Sequence, residues 1–251
     1  MLQIALLTIC LLLLGVPIAF VLGLGGTLGV WLAGIPERVI ITRFFSGVDS
    51  FIFLAVPFYI VAAELMNRSG ITVRLIRLVA VFIGRLRGGT AFANIGTSIL
   101  FAGISGSAVA DTAGLGKVFM EAMPKEGYKR EYAAAVTVSS SIVGPIIPPS
   151  GLAIIMAAVT GLSVVDLFLA GVIPGLLLGG ACAVIVAWDA FRGRLPKSTI
   201  RVTRDELPML ILEGLIVGLL PVIIVGGMVI GAFTATEGGG IAVTAAFALG
   251  F

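Results

Sequence analysis

Five stretches of this chain run without a charged residue for longer than the roughly 20 residues an α-helix needs to cross a bilayer. They are residues 1–36, 88–110, 132–165, 167–188 and 214–236. A transmembrane β-barrel would instead show alternating segments of about 10 residues. A soluble domain carries about a quarter of its residues charged, whereas only 12% are charged here and 59% are hydrophobic. The fold class that follows is all-α, a polytopic helical membrane protein in the cell inner membrane. The first run has no basic residue before Arg38 and is too long for a signal peptide, so it reads as a retained span.

Charge that remains is organised. Arg68, Arg74, Arg77, Arg85 and Arg87 form one basic group, and Arg192, Arg194, Lys197, Arg201 and Arg204 a second. Basic loops lie on the cytoplasmic side of multi-spanning proteins. Residues 71–87 read as a basic amphipathic helix near the surface, and residues 35–50, with Arg38, Arg43 and Asp49, as a second interfacial helix. The net charge of +3 is a topology signal and does not point to nucleic acid. Cys10 and Cys182 lie in apolar runs and read as small buried residues, with neither disulfide nor metal implied.

Two of the apolar runs are interrupted. The first is broken by Gly103-Ile104-Ser105-Gly106-Ser107 and followed by Asp111, Lys117 and Glu121. A second crossing there would place those charges in lipid. A re-entrant hairpin over residues 88–123 accounts for both the polar tip and the charged return arm. The run from 132 is broken by Ser139-Ser140-Ser141 and then by Gly144-Pro145-Ile146-Ile147-Pro148-Pro149-Ser150-Gly151. Three prolines in five residues remove backbone donors and end a helix, leaving two half-helices around an unwound linker. The apolar run 238–251 is short for a crossing, so the sequence reads as a fragment that stops mid-span.

Broken helices in membranes offer free N–H groups and positive dipole ends to anions, and unwound carbonyls to cations. The candidate ion- and substrate-binding residues are therefore Ser105, Gly106, Ser107, Asp111, Ser140, Ser141, Gly144, Pro145, Pro148, Pro149 and Ser150. Sodium takes hard oxygen ligands, with Ser105, Ser107, Gly144 and Pro149 the candidate positions. Asp111 has two roles open to it, complementing the helix dipole or handling an ion or proton directly. No cofactor is implied beyond sodium as a coupling ion, because phosphate loops and metal-ligand spacings are absent from the sequence.

The chain resembles the large membrane subunit, the DctM-like component, of tripartite ATP-independent periplasmic transporters. The matching stretches include Gly15-Val16-Pro17-Ile18-Ala19-Phe20, Glu64-Leu65-Met66-Asn67-Arg68-Ser69-Gly70, Phe101 through Asp111, Gly144 through Ser150, and Phe168-Leu169-Ala170-Gly171-Val172-Ile173-Pro174-Gly175. The resemblance implies the first repeat of an elevator-type transporter, driven by sodium and importing an organic anion such as a C4-dicarboxylate or sialic acid. It implies two partners, a small four-helix membrane subunit and a periplasmic substrate-binding protein. Residues 1–87 would be spans and interfacial helices of a scaffold, residues 88–160 the first hairpin and broken helix, and residues 161–251 further spans opening a second repeat. Phe233-Thr234-Ala235-Thr236-Glu237-Gly238 resembles a family stretch in which proline stands where this chain has Ala235.

Two rival functions are weighed against this. Gly103-Ile104-Ser105-Gly106 matches the pattern around an intramembrane serine nucleophile, but that chemistry needs a general base and the sequence holds no histidine. A non-transporting membrane scaffold or decayed fragment is the other. The expectation is a transporter subunit rather than an enzyme.

Overall fold

Backbone breaks, more than apolar length, divide this chain into elements. In the computed structural model, residues 2–49, 51–83, 86–197 and 207–250 are described. Apart from one antiparallel bridge between Arg87 and Lys197, the regular structure among them is helical. Arg85, Arg201 and Arg204 of the two basic groups lie outside the described residues.

The chain forms two compact units, residues 1–50 and 51–251. In the first, the uncharged N-terminal run is two helices rather than one span, α1 (Leu2–Leu13) and α2 (Ile18–Leu32). Gly15 takes φ +78, a conformation that L side chains rarely adopt, and Pro17 stands at the N-terminal boundary of α2. The two helices pack through small residues: a Cβ on Gly25 would meet Thr8 Oγ1 at 3.2 Å, and one on Gly29 would meet Ile4 at 3.3 Å. Cys10, expected to be buried, is exposed because it lies off the Ile4–Thr8 face of α1. The third helix, α3 (Arg38–Val48), lies within the segment expected to be interfacial.

In the second unit a short 3-10 turn (Phe51–Leu54) leads into α4 (Ala55–Arg68) and α5 (Ile71–Ile83). Then come α6 (Gly89–Ser105), α7 (Ala108–Lys125), α8 (Arg130–Ser141), α9 (Gly151–Thr160), α10 (Val164–Phe191), α11 (Leu207–Val229) and α12 (Ala235–Gly250). Helix α6 sits in the middle, against α4, α5, α7, α8, α10 and α11, while α12 lies along α4. Helix α5 is amphipathic as expected, but its apolar face is not spread on a bilayer. Leu75, Ile76, Val79 and Ala80 are buried in the protein core, whereas Arg74 and Arg77 face outward.

The outer surface is apolar. Phe191 is 93% exposed and Val109 79%, with Leu176, Leu177, Val184 and Ile185 also open along α10. So much exposed hydrocarbon suits contact with lipid or with further protein rather than with water. Helix α10, at 28 residues, is about 42 Å long, ample for a hydrocarbon core of about 30 Å. Among the described residues, Phe51–Arg68 and Val164–Phe191 combine the length and composition of a crossing. The apolar runs 1–36, 88–110 and 132–165 are cut into shorter helices by Gly15, Gly106 and the 142–150 linker, whereas the run from 214 continues α11, a helix of 23 residues.

Helix α10 carries a glycine at every fourth position, Gly171, Gly175 and Gly179, and this stripe seats the proline-rich linker at its first two positions and α6 at the third. A Cβ would stand 2.2 Å from the Ile146 carbonyl oxygen at Gly171, 2.4 Å from Ile147 at Gly175 and 2.6 Å from Ile99 at Gly179. Gly180 lies off the stripe with nothing within 4 Å. Gly171→Ala is expected to cost about 2 kcal/mol through overpacking against backbone. Gly180→Ala should be neutral or stabilising by up to about 1 kcal/mol through helix propensity. Denaturation of the two variants in detergent checks the contrast, and equal effects would show that the stripe does not hold the linker.

Candidate functional site

The hairpin tip and the broken-helix linker are brought together. Helix α6 ends at Ser105, Gly106 turns the chain with φ +57, and Ser107 opens α7, its Oγ accepting from the Ala110 amide at 3.3 Å. Helix α8 ends at Ser141, residues 142–149 form turns that include a cis Pro148–Pro149 bond, and Ser150 opens α9. Ser150 Oγ accepts from the Ala153 amide at 3.2 Å and donates to the Pro145 carbonyl at 2.6 Å.

These two breaks interlock. A Cβ on Gly106 would lie 2.4 Å from the Pro149 carbonyl oxygen and 3.0 Å from Ser150 Cα. One on Gly144 would lie 3.1 Å from both the Ala108 nitrogen and the Ser107 carbonyl carbon. Two helix N-termini, those of α7 and α9, therefore open beside two C-termini, those of α6 and α8. The positive ends can face an anion and the negative ends with their free carbonyls a cation.

The sequence-derived candidates divide into two groups. Ser105, Gly106, Ser107, Gly144, Pro145, Pro148, Pro149 and Ser150 make up the interlocked tips. Ser105 Oγ accepts weakly from the Ser107 amide at 3.4 Å. Asp111, Ser140 and Ser141 belong elsewhere, in a polar layer inside the α6–α7–α8 packing. Ser140 Oγ pairs with Ser98 Oγ at 2.9 Å, and Ser141 Oγ donates to the Thr137 carbonyl at 2.8 Å. Asp111, fully buried in the first turn of α7, faces Ser98 and Ser141, yet neither carboxylate oxygen has a hydrogen-bond partner.

Sequence reasoning missed most of that layer. Asn94 donates to Thr137 Oγ1 at 2.7 Å while its own Oδ1, like Thr97 Oγ1, is buried and unpartnered. The available signal was Thr90, Asn94 and the pair Thr97 and Ser98, which follow one another at three or four residues within an uncharged run and so share one helical face. Also missed was Tyr59 on α4, whose buried hydroxyl has no partner and which lines a cavity of about 10 Å³ together with Gly103 and Pro149. The stretch Thr234 to Glu237 is a capping box opening α12: the Thr234 amide and hydroxyl donate to Glu237 Oε2 at 2.7 and 2.9 Å.

Comparison with known sequences bears on this arrangement. The profile of the family described as "Tripartite ATP-independent periplasmic transporter, DctM component" matches residues 5–251. The "2,3-diketo-L-gulonate TRAP transporter large permease protein YiaN" of Escherichia coli is 37% identical over 220 residues, covering 82% of this chain and 52% of its own. The "C4-dicarboxylate TRAP transporter large permease protein DctM" of Vibrio cholerae is 36% identical over 197 residues, covering 76% and 43%. "Uncharacterized protein YgiK" of Salmonella typhimurium is 38% identical over 215 residues, covering 81% and 49%. The chain thus spans about half the length of the curated relatives it matches.

Proposed function

This chain belongs to the family of the DctM component of tripartite ATP-independent periplasmic transporters, and from that premise we propose that it forms half of a sodium-coupled site that imports an organic anion. The observation that carries the reading is the interlock of Gly106 with Pro149 and of Gly144 with Ser107, which sets two serine-capped helix N-termini side by side. A carboxylate substrate would take the N–H groups there, and a sodium ion the carbonyls around Ser105, Ser107, Gly144 and Pro149. The hairpin would be re-entrant, its tip at membrane depth, since unwound backbone is tolerated there only where protein or a cavity surrounds it.

Asp111, with Ser98 and Ser141 facing it, would hold a second positive charge behind the tips. A dicarboxylate, a sialic acid or a sugar acid suits the anion role, in line with the names of relatives. The remainder of the site would come from a second hairpin and broken helix in a chain of the relatives' length. A periplasmic binding protein would deliver the substrate, a small membrane subunit would brace the scaffold, and the whole would sit in the inner membrane. Residues 1–87 would serve as scaffold and 88–160 as the moving element.

The test is uptake into proteoliposomes by a chain completed to that length. Collapse of the sodium gradient is expected to abolish uptake, whereas addition or removal of ATP should change nothing. Ser107→Ala, which removes the α7 cap at about 1 kcal/mol, and Pro145→Ala are each expected to cut uptake at least about tenfold. Uptake that persists undiminished in both variants would overturn the site, and uptake without sodium would overturn the coupling.

A further inference from the structure

Away from the tips, the short turn between α7 and α8 lies across from the end of α10, and the two enclose a cavity of about 490 Å³. Tyr128, Lys129, Tyr132, Asp189 and Arg194 line it. The pocket is firmly built. The Gly88 amide donates to the Pro196 carbonyl at 2.9 Å, Arg87 and Lys197 form an antiparallel bridge, and Leu195 is buried beside Gly88. Tyr128 and Tyr132 stack at 6.1 Å to make one wall.

Its chemistry favours an anion. Its lining holds two basic residues, Lys129 and Arg194, against one carboxylate, Asp189, which pairs with Arg194 at 3.3 Å. Arg87, Arg130, Arg192 and Lys197, on the segments that carry or adjoin the lining residues, are exposed. Helix α8 opens at Lys129 with no side-chain cap, so its first amides are free of a capping side chain. The Tyr128 hydroxyl is buried and without a partner.

Its surroundings favour a lipid over a soluble ion. The pocket stands at the end of the bilayer-length α10, where Arg192 stacks on Trp188 at 4.7 Å. An aromatic residue and a cation at a span's end mark the headgroup level. Directly below, Val184 and Ile185 are exposed along α10, a surface along which acyl chains can lie.

We propose that this cavity binds the phosphate headgroup of an anionic phospholipid, with Lys129, Arg194 and the α8 amides holding the phosphate and the lipid's acyl chains lying on α10. The basic rim places it in the cytoplasmic leaflet by the positive-inside rule. The proposal is independent of transport, since it concerns a different face of the molecule and its readout is lipid binding.

Native mass spectrometry of the purified chain, titrated with phosphatidylglycerol or phosphatidylcholine in neutral detergent, tests it. A phosphatidylglycerol adduct that phosphatidylcholine does not form is expected. Lys129→Gln with Arg194→Gln should weaken it roughly thirtyfold, taking each basic residue at its usual contribution near an anionic surface. Arg194→Lys, which keeps the charge, should retain most of it. Arg38→Gln with Arg43→Gln removes equal charge elsewhere and should leave it unchanged. Circular dichroism confirms that each variant is folded. Equal weakening by the Arg38 and Arg43 pair, undiminished binding in the Lys129 and Arg194 pair, or equal binding of phosphatidylcholine would overturn the proposal. So would binding of soluble glycerol phosphate as tight as that of the lipid.

Discussion

Gly106→Ala is expected to destabilise the protein by about 3 kcal/mol, because two penalties fall on one atom. The residue adopts φ +57, where an L side chain loses about 1 kcal/mol. The added Cβ would also stand 2.4 Å from the Pro149 carbonyl oxygen and 3.0 Å from Ser150 Cα. Both are backbone atoms, so no rotamer change relieves the contact and the tips must separate, at an overpacking cost of about 1–3 kcal/mol. Gly161→Ala supplies the reference. It has φ +74 but nothing within 4 Å, so it should lose only the conformational part, about 1 kcal/mol. Thermal melting of both in the same detergent decides the matter. If the two variants melt together, the hairpin and linker are not held by this contact.

That Gly106 and the 142–150 linker would interrupt their runs was legible in the sequence, because helix breaking is a local property of glycine and proline. So was the all-α class, which charge-free length alone enforces. What was not legible is how the pieces face one another. Ser140 and Ser141 look like linker residues in the sequence, yet the turn of α8 aims them at Ser98 and at the Thr137 carbonyl. Direction depends on helix phase relative to neighbours that are distant in the chain, and no window of residues carries it. The Gly171, Gly175 and Gly179 stripe was readable as a spacing, but that it cradles Ile146 and Ile147 needed the fold. Residues 71–83 show the same limit. Their apolar face was evident, but a bilayer and a protein core satisfy it equally well, and in the structure it meets the core.

Asp111→Asn is expected to remove the share that Asp111 contributes to a sodium-dependent stabilisation that the unsubstituted chain should display. The carboxylate is fully buried with both oxygens unpartnered, and Asn94 Oδ1 and Thr97 Oγ1 are orphaned acceptors in the same polar layer. Leaving a bare carboxylate in such a place costs several kcal/mol, so the group must carry a proton or face a cation. A cation that binds the folded state alone stabilises it by about 2.7 kcal/mol at a concentration 100 times its dissociation constant. Melting curves in sodium and in potassium at one ionic strength separate such binding from screening, which both salts supply equally. Asparagine keeps the volume and one acceptor while removing the charge, so the packing of α7 on α8 should survive. A sodium shift in the parent that is smaller in the variant assigns a cation to Asp111. If neither protein distinguishes the two salts, the carboxyl carries its own proton, and coupling through Asp111 would have to be protonic rather than sodium-based.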